Sequence, residues 1–152
     1  MPEPTLVVLD LDAASQADQF ASVAAALGER GMVRASFGDA LQARERAYPT
    51  GLNFGEFQIA LPHVDPEHVT VPGLVVCRNS NPIDFMAMEN HTLALPVRLS
   101  LWPIVTDPQR QVGLLAELLQ LLGTPGVYGQ LLDGTPDDVR LVVADVLRAT
   151  DQ

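Results

Sequence analysis

The chain has 152 residues, the size of one domain and long enough to bury a core without disulfide staples. Its 47% hydrophobic content speaks against disorder, and it holds no unbroken run of about 18 apolar residues, the length a spanning helix needs. It carries 19 acidic residues against 9 basic ones, all arginine, for a formal charge of −10. Such a surface repels phosphate backbones and anionic bilayers, which excludes nucleic acid as a partner and is compatible with a basic protein face.

The opening MPEPTLVVLDLD lacks a basic n-region, and acids interrupt its apolar run, so it does not read as a secretory signal. Leu6 to Leu11 reads as a first strand. Ser15 and Asp18 resemble a capping box opening a helix with Phe20, Val23 and Leu27 on one face, ended near Gly31. Ser36 and Asp39 form a similar pair before FGDALQARERA, where Phe37, Ala40, Leu41 and Arg44 share a face. That helix should stop at Tyr48, ahead of Pro49. PTGLNFGE then reads as a loop, with Gly51 and Gly55 supplying backbone freedom.

FQIAL, residues 57–61, is a short strand candidate closed by Pro62 and His63. Another strand is expected near Gly73 to Cys77, a break at Asn79 to Pro82, and a short extended piece, IDFM. In LALPVRLSLWPIV, Pro96 lacks a donor, so this strand should lie at an edge or be locally distorted. Leu99 and Leu101 should face one way, Arg98 and Ser100 the other. Residues 108–122 give the clearest helix, with Pro108 in its first turn and a broad leucine face. A short helical piece, GVYGQLL, and a helix opened by Thr135, Pro136 and Asp138 complete the chain. The pattern predicts a single α/β domain over residues 1–152, one sheet covered by helices, and mixed because its short strands are joined by short turns.

His63 is the most informative residue for function. In IALPH, Pro62 holds Leu61 extended and has a fixed φ of its own, so the imidazole sits rigidly at a strand end. Such a ring is a base, a metal ligand or a nucleophile, or else a turn histidine satisfied by a backbone group. Arg44, on a packed helix face, either snorkels to water or is aimed at an anion. Arg46 should point to solvent, and Glu45 reads as a surface charge. His68, in the polar DPEHVT, and His91, in ENHT, read as loop and turn residues, with Asp65 and Glu67 near enough in sequence to pair with a histidine. Cys77, inside LVVC, reads as a small buried hydrophobe. One cysteine and three scattered histidines give no zinc spacing. There is no dinucleotide fingerprint, no P-loop and no nucleophile elbow.

At Arg44-Glu45, Pro49-Thr50-Gly51, IALPH and NPIDFMAME, in that order, the sequence resembles the fructose/mannitol-type enzyme IIA domains of the sugar phosphotransferase system. The likeness continues through DPQRQVGLLAELLQLLGTPGVYGQLL, spanning roughly residues 5 to 148. It implies a mixed sheet with helices on both sides and a cytoplasmic carrier. It implies phosphorylation of His63, through Nε2, with Arg44 near the ring. Where mannitol- and fructose-like members have a second histidine, this chain has Gln111, whose amide can donate to a phosphoryl oxygen. The Asp-Pro-Gln-X-Gln form resembles the galactitol-type branch. The implied partners are the histidine-containing phosphocarrier protein HPr and enzyme IIB, with IIC reached indirectly; no cofactor or metal is implied. Leu61, Phe57 and Phe54 are candidates for an apolar collar around the ring. A regulatory relative that does not feed transport and a binding domain without relay activity are the alternatives.

Overall fold

The computed structural model describes residues 5–150; the first four residues of the N-terminal reading and the last two of the expected domain lie outside them. The elements are β1 (Thr5–Leu11), α1 (Gln16–Glu29), α2 (Phe37–Ala47), β2 (Gly51–Asn53), β3 (Gln58–Ala60), β4 (Gly73–Met86), β5 (Ala94–Ile104), α3 (Pro108–Leu122), α4 (Val127–Asp133) and α5 (Pro136–Ala149), with a 3-10 turn at Pro66–His68. The strands form one mixed sheet in the order β1-β4-β5-β3-β2. β1 runs parallel to β4 and β3 to β5, while β4–β5 and β2–β3 are antiparallel.

Both faces are covered. On one, Phe20, Val23 and Leu27 of α1 and Phe37 and Leu41 of α2 pack with Trp102. On the other, leucines and valines of α3, α4 and α5 pack on Leu99, Leu101, Leu74 and Val76. The alternation of β5 divides it between the two cores as expected: Leu99 and Leu101 join the second, while Ser100 accepts a hydrogen bond from Trp102 Nε1 at 2.8 Å beside the first.

The helix ends follow the sequence signals closely. Ser15 accepts from the Asp18 N–H, Thr135 and Asp138 make a reciprocal capping box, and Tyr48 caps α2 where Pro49 stops it. The second expected box does not form, because the Ser36 hydroxyl bonds to His68 Nδ1 at 2.8 Å instead of capping its helix.

Two strand expectations change. The segment read as a loop contains β2, which hairpins onto β3 with Gly51 opposite Ala60. Gly55 does take φ +93°, but Gly51 is required for space instead: a Cβ there would sit 2.6 Å from the Met86 carbonyl oxygen. The expected break after Cys77 is a register shift between Arg78 and Ile83 inside one 14-residue strand, the extra residues bulging out while pairing with β5 resumes. Pro96 is tolerated because β3 pairs only with Leu99 and Ser100, leaving the Pro96 end of β5 without that neighbour.

Leu101, fully buried against the α3–α5 layer, tests this packing. Leu101→Ala should cost about 2–5 kcal/mol in urea unfolding, for lost burial plus the cavity left behind; a loss below about 1 kcal/mol would mean the two layers are not joined there.

Candidate functional site

The topology brings three separate segments to one end of the sheet. β3 and β5 are parallel, so both lead toward the same end of the sheet, β5 running four residues beyond Ser100, the partner of Ala60, and the chain leaves them as Leu61-Pro62-His63 and as the loop into α3. β2 is antiparallel to β3, so its first residue also lies there, bringing the end of α2 and the Pro49-Thr50 turn. His63, Arg44 and Gln111 therefore converge from β3, α2 and α3.

His63 Nδ1 lies 2.7 Å from the Leu61 carbonyl oxygen. A carbonyl only accepts, so Nδ1 carries the proton and donates, and Nε2 of the neutral ring bears the free lone pair. Arg44 Nη2 donates toward that lone pair at 3.2 Å. Arg44 also meets Asp65 Oδ1 through Nη1 at 3.4 Å and lies over the Tyr48 ring, 5.5 Å from its centroid. Its buried Nε has no partner among the described residues. Gln111 Nε2 donates at 2.8 Å to the carbonyl of Val64, the residue after His63, so this amide is committed to the histidine loop.

The imidazole is only 7% exposed, less open than a strand-end position suggests. Arg44 is its outer cover, half-buried with its head across Nε2. Burial lowers the pKa of His63 below its ordinary 6.5; the bond to Leu61 and the Asp65 charge oppose this, and Arg44 adds to it. Near neutral pH the ring is thus uncharged, with its lone pair on Nε2.

Glu45 corrects the sequence reading. It is buried, 6% exposed, and accepts from the Thr50 backbone N–H and hydroxyl, each at 2.8 Å. Its signal was present in the sequence as the buried stripe Phe37, Leu41, Glu45 at spacing four. The expected collar also changes. Phe54 and Phe57 stack on each other at the hairpin loop, the opposite end of β3, and Phe57 stacks on Tyr128 of α4. Leu61 meets the ring through its carbonyl, while its side chain packs in the core beneath α3 and α5. Asp65 pairs with Arg44, not with a histidine, while Glu67 lies 3.6 Å from His68. His68 is thereby tied to Ser36 and Glu67, away from His63, and His91 is exposed. Cys77 is buried, and burial pushes its thiol up to about 12, as befits a packing residue. No described helix is long and apolar enough to cross a membrane.

The fold, a mixed sheet with helices on both faces, is that of a known class of protein. The chain belongs to the family "Phosphoenolpyruvate-dependent sugar phosphotransferase system, EIIA 2", which matches residues 2–145. It is a phosphotransferase component that carries phosphoryl groups. The galactitol-specific EIIA component of Escherichia coli (strain K12) is 31% identical over 104 residues, 68% of each chain. Among solved structures, the E. coli complex of mannitol enzyme IIA and phosphorylated enzyme IIB matches with TM-score 0.70 at 22% identity, covering 95% of this chain and 97% of that one. The nitrogen regulatory protein IIA-Ntr of Neisseria meningitidis matches with TM-score 0.68 at 21% identity, covering 90% and 92%. These structural likenesses bear on the fold, which is the expected single α/β domain with helices on both sides of a mixed sheet.

The lowered pKa has a thermodynamic consequence. Between the folded-state value and 6.5 the unfolded chain binds a proton that the native ring refuses, so this contribution to stability is present above 6.5 and is lost as pH falls through the folded value. A 15N-detected titration should show His63 still mostly neutral at pH 6.5, with Nδ1 protonated; a midpoint above 6.5 would contradict the burial and hydrogen bonding described.

Proposed function

We propose that His63 accepts a phosphoryl group on Nε2 from the phosphocarrier HPr and passes it to an enzyme IIB, in a system for galactitol or a related polyol. The observation that carries this reading is the hydrogen bond from Nδ1 to Leu61, which leaves Nε2 as the nucleophile. The Nε2 lone pair forms the new bond to phosphorus. The bond between phosphorus and the donor's imidazole nitrogen breaks, and that nitrogen keeps the electron pair. Nδ1 holds its proton on the Leu61 carbonyl throughout. When the group moves on to IIB, His63 departs as neutral imidazole in its starting tautomer, so neither transfer requires a net proton movement on this ring.

In this reading Arg44 grips the phosphoryl oxygens. Its Nη2 releases the lone pair as phosphorus approaches, and the guanidinium then donates to the equatorial oxygens, with Nε as a donor in reserve. Gln111 serves the same transfer by holding the Val64 carbonyl, and hence the loop bearing His63; its second amide N–H is the candidate contact to phosphoryl. The cytoplasmic setting, the partners HPr and IIB, the indirect link to IIC and the single-domain reading of residues 1–152 belong to this proposal. The galactitol assignment is supported by the E. coli relative and by Gln111 within DPQRQ.

The test is a relay reconstituted from phosphoenolpyruvate, enzyme I and HPr. His63→Ala should take no stable label, and labelling equal to wild type would remove the mechanism. Arg44→Ala should accept phosphoryl about ten- to a hundredfold more slowly, the worth of one charge-assisted hydrogen bond; an unchanged rate would reduce Arg44 to packing. Phosphorylated protein should discharge faster to a galactitol-type IIB than to a mannitol-type one, and the reverse preference would reject the polyol assignment.

A further inference from the structure

Glu45 sits where the apolar stripe of α2 asks for a third hydrophobe. Phe37, Leu41 and Glu45 are the buried residues of that helix, and the first two pack in the core shared with α1. A carboxylate removed from water is destabilising unless its oxygens are bonded. Both oxygens of Glu45 are bonded, Oε2 to the Thr50 N–H and Oε1 to the Thr50 hydroxyl, each at 2.8 Å. Thr50 is itself 3% exposed. A leucine would fill the stripe at lower cost, so packing alone does not account for an acid here.

The hydrogen bonds continue from Thr50 to the reactive ring. The Thr50 carbonyl accepts from the Leu61 N–H at 3.3 Å, and the Leu61 carbonyl accepts from His63 Nδ1 at 2.7 Å. The far side of the path is fixed as well. The Gly51 carbonyl accepts from the Met88 N–H at 2.8 Å, and the Gly51 Cα lies against the Met86 carbonyl without room for a side chain. On the other side, Glu45 is the helical neighbour of Arg44, whose Nη2 reaches Nε2 of the same imidazole.

We infer that Glu45 is a positioning residue for phosphoryl transfer: its buried carboxylate grips the Pro49-Thr50 turn and so sets the Leu61 carbonyl that orients His63, while its helix sets Arg44. The two nitrogens of the imidazole are thus referenced to one side chain, Nδ1 through Thr50 and Leu61, Nε2 through the last turn of α2. Glu45 touches neither the ring nor a phosphoryl group, so it acts entirely through the placement of others. The inference rests on the carrier reading for its kinetic consequence but not for its structural one.

The experiment uses the full chain with Glu45→Gln, Glu45→Met, Thr50→Ser and Thr50→Val. Glutamine keeps two contacts, since its carbonyl accepts from the Thr50 N–H and its amide donates to the hydroxyl oxygen. Glu45→Gln and Thr50→Ser should therefore stay within about threefold of wild type in phosphoryl acceptance from HPr. Glu45→Met should lower the maximal rate by about tenfold or more with the KM for HPr unchanged, because the residue is hidden from a docking protein. Thr50→Val, a near-isostere lacking only the hydroxyl, should fall between and serves if Glu45→Met does not fold. Imidazole 15N shifts form a second arm that needs no activity: in Glu45→Met or Thr50→Val the Nδ1 and Nε2 signals should move toward each other as the tautomer preference weakens. A folded Glu45→Met or Thr50→Val with wild-type rate and wild-type shifts would overturn the inference. So would a loss of rate as large in Glu45→Gln as in Glu45→Met without any change in the shifts. If wild type takes no phosphoryl at all, the carrier reading fails, while the 15N arm still decides the role of Glu45.

Discussion

The hydrogen bond from His63 Nδ1 to the Leu61 carbonyl is the constraint on which the proposed chemistry depends. It does two things at once. It places the proton, and so leaves the lone pair on Nε2; and it fixes the ring relative to the backbone two residues earlier. The acceptor is well chosen for rigidity. Leu61 precedes a proline, which limits its backbone to extended conformations, and Pro62 has a fixed φ of its own. Leu61 is held in turn by its N–H to Thr50 and by its side chain in the core under α3 and α5. A ring anchored in this way does not re-sort its tautomers when a charged group arrives at Nε2.

That anchoring is a product of sheet topology more than of local sequence. β3 contributes only three paired residues, yet it is wedged between β5 and β2, and its C-terminal end is where α2 finishes and α3 begins. Any swap of strand direction would separate His63 from Arg44 or from Gln111. The long β4–β5 pair, with its bulge between Arg78 and Ile83, supplies the stiff platform, and its far end reaches around to hold Gly51 through Met86 and Met88.

What the sequence disclosed and what it hid follow from the range of the interactions concerned. α1, α3 and α5 were legible because periodicity and capping are local: Ser15, Pro108 and Thr135 all stand at observed helix starts. β2 was not legible, since a three-residue strand has no room for alternation and exists only because β3 lies beside it. Glu45 was misread for the same kind of reason. A carboxylate between two arginines resembles a solvated charge until Thr50, five residues away, is seen to bond both its oxygens. Phe54 and Phe57 seemed close to His63 along the chain, but β3 separates them by its whole length and Tyr128 takes the stacking contact. His63 and Arg44 were brought together by family resemblance and not by periodicity; the structure supplies the 3.2 Å contact between them.

One apparent conflict is resolved by magnitudes. The chain bears a net charge of −10, and a carrier must take on a further, doubly negative group. Charges farther away than the Debye length, about 8 Å at physiological ionic strength, are largely screened, so most of that acidic surface is weakly felt at the imidazole. A guanidinium about 4 Å from a unit negative charge is worth roughly 4 kcal/mol at an effective dielectric of 20, before any desolvation cost. Arg44, packed against the ring and partly shielded from water, therefore outweighs the distant acids. Its nearest competitor, Asp65, is 3.4 Å away but largely exposed, and exposed ion pairs contribute only about 0–1 kcal/mol. In the proposed transfer Arg44 therefore exchanges a weak partner for a stronger one.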